Sequence, residues 1–194
     1  MTDISTIKGL LDWQLLKGSH AWPDAMGGTC INEAAIVVAG YEYTEVAGVD
    51  DLPTSFSREL GMLLLCLNDA LDDEDRQKLK RFVLRLPDSR GRADVETNRI
   101  ASMLAGLNAL CAQYRISSIE LPVLDAKSEA ARVSCAQRLG TVIAVIATPR
   151  ERSGFLDAAL DVIERAFDIG CTTPPIDGAL VDHRLERARL QQPG

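Results

Sequence analysis

Apolar residues recur along this chain mostly at helical spacing. Ile7, Leu10, Leu11 and Leu15, with Trp13 beside them, predict an amphipathic helix over 4–17, with Lys8, Asp12 and Lys17 on its outer side. A second helix is expected from Thr29 to Gly40. Ala34, Ile36, Val37 and Val38 make it almost wholly apolar, which argues burial, and Gly40 suits the left-handed position just past its end. Pro53 fits the first position of a third helix, which runs to about Leu71 and is apolar all round at 61–67. This is the expected central helix. Asp72 or Asp73 caps the next one, which continues through Leu79, Phe82, Val83 and Leu86 to Pro87. The pattern there argues against a calcium loop, because oxygen ligands at alternating positions around a mid-loop glycine are missing.

Beyond residue 91 the pattern gives a long helix over 94–114, then one over 126–139 ended by Gly140, and another over 155–167. The β-branched run 141–148 reads as either strand or buried helix. Its only strand partner would be 116–121, and a lone two-stranded sheet is marginal, so helix is favoured. A linker at 171–175 precedes a charged helix over 181–190. The expected fold class is mainly α: a single-domain helical bundle over 1–170, with 171–194 as linker and charged C-terminal helix. A minor two-stranded β element (116–121, 141–148) is the alternative.

The unusual side-chain chemistry collects between Leu15 and Gly40. Thr29 is the expected N-cap, with Gly27 and Gly28 easing the turn before it. Cys30 then falls in the first helical turn, where the dipole favours an anion and can lower a thiol pKa. Glu33 is on the same face as Cys30. Asn68 and Asp69 end the central helix and need partners, which the His20 loop or Glu33 could supply. The candidate catalytic residues are therefore His20, Cys30, Glu33 and Asp69. The competing reading is structural: a buried thiol, a carboxylate on loop amides, and a histidine satisfying a loop carbonyl. No second cysteine lies two to four residues from Cys30, which argues against a zinc knuckle, and no metal or cofactor is expected. His183, among Asp182, Arg184 and Glu186, reads as solvated.

Composition narrows the partner more than the chemistry. The 194 residues carry a net charge of −7, which argues against direct nucleic-acid or membrane-surface binding. It is compatible with a protein partner that has a basic surface. The acidic connector 41–52 supplies the candidate interaction residues Tyr41, Glu42, Tyr43, Glu45, Asp50 and Asp51, both tyrosines reading as exposed. Five scattered cysteines and no leader pattern point to reduced thiols in a cytoplasm. Phosphate loops, dinucleotide fingerprints, nucleophile elbows and paired-histidine helices are all missing.

The segment 15–91 resembles a widespread helical domain family encoded by actinobacteria and phages. The residues that carry the resemblance are Gly18-Ser19-His20, Gly28-Thr29-Cys30, Glu33-Ala34, Val38-Ala39-Gly40, Leu67-Asn68-Asp69-Ala70-Leu71 with Asp73 and Arg76, Leu84-Arg85-Leu86, and Arg90-Gly91. The family often has Cys-Val-Met-Glu where this chain has Cys30-Ile31-Asn32-Glu33, after a shorter loop. The resemblance implies a single polar cluster of His20, Cys30, Glu33, Asn68 and Asp69 and an association with mobile elements. It implies no reaction.

The leading functional expectation is a non-catalytic interaction factor, an accessory or counter-defence (anti-CRISPR-like inhibitor) protein of a mobile element. The alternative is a small thiol- or metal-dependent enzyme. Cys30 would be its nucleophile, His20 its base, and Glu33 or Asp69 would orient the imidazole. A structural subunit of a larger assembly is the third reading, and a homodimer is compatible with the composition.

Overall fold

The computed structural model of the chain describes residues 7–22, 28–119, 128–148, 154–171 and 177–190. It is mainly α-helical, with eight α-helices among the described residues. They are α1 (Lys8–Asp12), α2 (Ile31–Ala39), α3 (Arg58–Ala70), α4 (Asp73–Gln77), α5 (Ala93–Gln113), α6 (Glu129–Ala147), α7 (Phe155–Asp168) and α8 (Gly178–Leu190). Among the described residues there is no sheet. The one β contact is an isolated parallel bridge between Leu15 and Thr29.

The apolar pattern becomes one continuous core. α3 lies along α6, α5 packs on α7, and α8 lies across α1 and α2. Leu60, Leu63, Leu64 and Leu67 of α3 are fully buried, as are Leu139 and Ile143 of α6. The two helices approach closely at Gly140. A Cβ there would sit 2.8 Å from the Leu63 carbonyl oxygen and 2.9 Å from Cys66 Cβ. The same seam buries an ion pair, Arg132 Nε to Glu59 Oε1 at 2.7 Å. By length and composition α6 could cross a membrane, but its buried face packs on α3.

Several expected boundaries move, each for a tertiary reason. The helix drawn over 4–17 is helical only over Lys8–Asp12 among the described residues. From Trp13 onward the chain is extended, because it bonds to other segments: Trp13 Nε1 donates to Thr29 Oγ1 at 2.9 Å and Leu16 N to Thr29 O at 2.8 Å. Gly18 (φ +82°) therefore ends no helix; it lies in the loop. Thr29 is not the cap of α2. Cys30 is, and Thr29 serves the bridge instead. Residues 53–56 form a turn, and Ser57 rather than Pro53 starts α3 by accepting the Leu60 amide. The helix after Asp72 is α4 followed by a 3₁₀ turn at Lys78–Phe82.

Gly140 does not end a helix either. The segments drawn as 126–139 and 141–148 are one helix, Glu129–Ala147, so the strand alternative at 141–148 falls away. Residues 116–119 belong to no helix or strand, and 120–121 lie outside the described residues, as do Pro23, Asp24 and Gly27 of the loop before α2. The expected helices over 94–114, 155–167 and 181–190 are observed to within a few residues, and Asp72 caps α4 by accepting the Asp75 amide.

Candidate functional site

Glu33 is the centre of the polar cluster. It occupies the third position of α2 and is fully buried. Oε1 accepts the amides of His20 (2.8 Å) and Val46 (3.1 Å), and Oε2 accepts the amide of Cys30 (2.9 Å). His20 Nδ1 lies 3.2 Å from Oε2. One carboxylate thus ties the 19–22 loop, the start of α2 and the connector segment at Val46 to one another. Burying a charge is costly unless its lone pairs are used, and here they are used by backbone donors.

Cys30 completes the arrangement as a sulfur N-cap. Its Sγ accepts the Glu33 amide at 3.5 Å while Glu33 returns the bond to the Cys30 amide, the reciprocal pair of a capping box. The thiol is fully buried. Burial, and then the negative charge of Glu33, push its pKa well above the usual thiol range. The lowering expected from the helix dipole is overridden: desolvation and the adjacent carboxylate both disfavour the thiolate.

His20 is held by both ends of its residue. Its amide and ring address Glu33, and its carbonyl accepts the Tyr43 hydroxyl at 2.8 Å. Its side chain is 22% exposed. The Tyr43 ring packs on Trp22 with centroids 5.4 Å apart, and burial raises the Tyr43 hydroxyl pKa, reinforced by Glu33. Tyr43 is therefore half-buried, not the exposed residue that its sequence setting suggested.

From α3, Asn68 and Asp69 contact the backbone that flanks this loop. Asn68 Oδ1 accepts the Ile31 amide (3.3 Å) and Nδ2 donates to Leu16 O (2.8 Å); Asp69 Oδ1 accepts the Gly18 amide (2.9 Å). The structure thus brings His20 and Cys30 each onto Glu33, with Asn68 and Asp69 on adjoining backbone rather than on His20. Gln77, which the sequence reading passed over, clamps both backbone groups of Leu15: N to Oε1 at 3.0 Å and Nε2 to O at 2.9 Å. Buried Arg76 donates from Nε to Asn68 O (2.6 Å) and from Nη2 to Leu71 O (2.7 Å), closing the C-terminus of α3.

The connector is more varied than its acidity suggests. Asp51 Oδ2 accepts the amides of Ala47 and Gly48, each at 3.0 Å, so it shapes the turn. Asp50 pairs with Arg58. Glu45 accepts the Ser19 hydroxyl at 3.1 Å, and Glu42 is exposed. Tyr41 is 48% exposed and its ring meets Phe56 edge-on. The basic cluster further on is likewise engaged: Arg85 pairs with Glu164 and Asp168, and Arg90 with Glu129.

Among the described residues, no group of three or more His, Cys, Asp or Glu side chains is placed to hold a metal ion. Compared with protein-family models, with curated proteins and with solved structures, the chain matches none.

Proposed function

We propose that this chain is a non-catalytic interaction factor that binds a protein partner with a basic surface, as an accessory or inhibitory protein of a mobile element. The observation that carries this reading is the use of Glu33. Three backbone amides and one imidazole consume its carboxylate, which makes the cluster a device for joining segments. The chain's net charge of −7 is left to the exterior, and the connector presents Glu42, Glu45 and Tyr41 there. The mobile-element association rests on the resemblance of 15–91 alone.

The test is affinity capture from host lysate with the wild-type chain and a Glu42→Lys/Glu45→Lys variant. Asp50 and Asp51 are left intact, because they support the fold. The expected result is a basic partner held by wild type, released as salt rises, and lost by the variant. A partner held equally by both, or no specific partner, overturns the reading.

One observation favours a second reading. The contact of Glu33 with His20 Nδ1 is how a carboxylate orients a histidine base. A thiol enzyme built on it needs Cys30 as a reactive thiolate. Alkylation at neutral pH distinguishes the two: the interaction reading expects Cys30 to react far more slowly than exposed Cys171, and the enzyme reading expects the reverse.

A further inference from the structure

We draw no further inference here: the strongest candidate, the sulfur pair of Met62 and Cys66 on the partly exposed side of α3, with Cys66 Sγ 3.8 Å from Met62 Sδ, rests on one cysteine and a contact within its own helix, and nothing else in the described structure points to a ligand there.

Discussion

Two carboxylate-rich regions of this molecule use the same charge in opposite ways. Around Glu33 a single fully buried carboxylate faces backbone donors from three chain segments. Across the molecule, Asp157, Asp161, Glu164 and Asp168 of α7 face Lys78, Arg81 and Arg85 in a ladder along the 3₁₀ turn and the residues after it. The ladder has more partners and more visible pairing, yet most of its groups are a third exposed or more. Exposed pairs are screened and lose side-chain entropy on forming. A buried acceptor leaves its donors nowhere else to go. Apolar packing holds α7, including the stack of Phe167 on Phe82 at 5.5 Å, and the ladder only decorates it. At α2 the polar group itself holds the loop.

The sharpest way to break this contrast is Glu33→Ala. It strands the amides of His20, Cys30 and Val46, at about 1–3 kcal/mol for each donor left unpaired, so a loss of roughly 3 kcal/mol or more is expected in urea unfolding. A loss below about 1 kcal/mol would mean that water replaces the carboxylate and that the region is no different from the ladder.

The second effect is alkaline. Cys30 is held protonated in the fold, above its ordinary value of 9.0, mainly by burial. The unfolded thiol ionises first as pH rises, so the unfolded state then binds fewer protons and stability falls. The contribution is complete below about pH 9 and is lost upward at about 1.4 kcal/mol per pH unit. Burial raises Tyr43, Cys66 and Cys135 in the same direction, so the measurement is a difference. Cys30→Ser keeps a side-chain N-cap and removes the ionisation. Its unfolding midpoint is expected to fall less steeply between pH 8.5 and 10.5 than that of wild type, and parallel curves would contradict the assignment.

The smallest effect belongs to the ladder. Arg81→Ala removes the 2.8 Å pair with Asp161 and should cost less than about 1 kcal/mol, with little left to lose in 1 M salt. A cost equal to that of Glu33→Ala would abolish the distinction between the two regions.

What could be read from the sequence follows the same division. Local rules found Asp72 as a cap, Gly40 as a left-handed end, and α5 and α7 by their spacing, because those signals act within one or two turns. They also placed Glu33 and Cys30 together, since three residues apart on a helix is a local fact. The rules failed where a distant segment competes for the same backbone. Trp13 and Leu15 have helical spacing, but Thr29 and Gln77 hold them extended. Thr29 is a good cap residue already committed to Trp13, which leaves the cap to a sulfur. Tyr43 sits in an acidic stretch, yet Trp22 and the His20 carbonyl draw it inward. The seat of α8 on Gly9 and Gly40 joins residues too far apart in the chain for any pattern to link them.

Gly140 shows how a small residue can govern a distant charge. At the point where α6 meets the Leu63 carbonyl there is no side chain that could rotate away from an intruding methyl. Extra bulk would have to be absorbed by shifting the whole rod. Arg132 rides on that rod about 12 Å away, at 1.5 Å per residue, and its reach to Glu59 is only 2.7 Å. A misfit in volume at one position would therefore surface as a stranded carboxylate two turns off, in a residue that the substitution never touches.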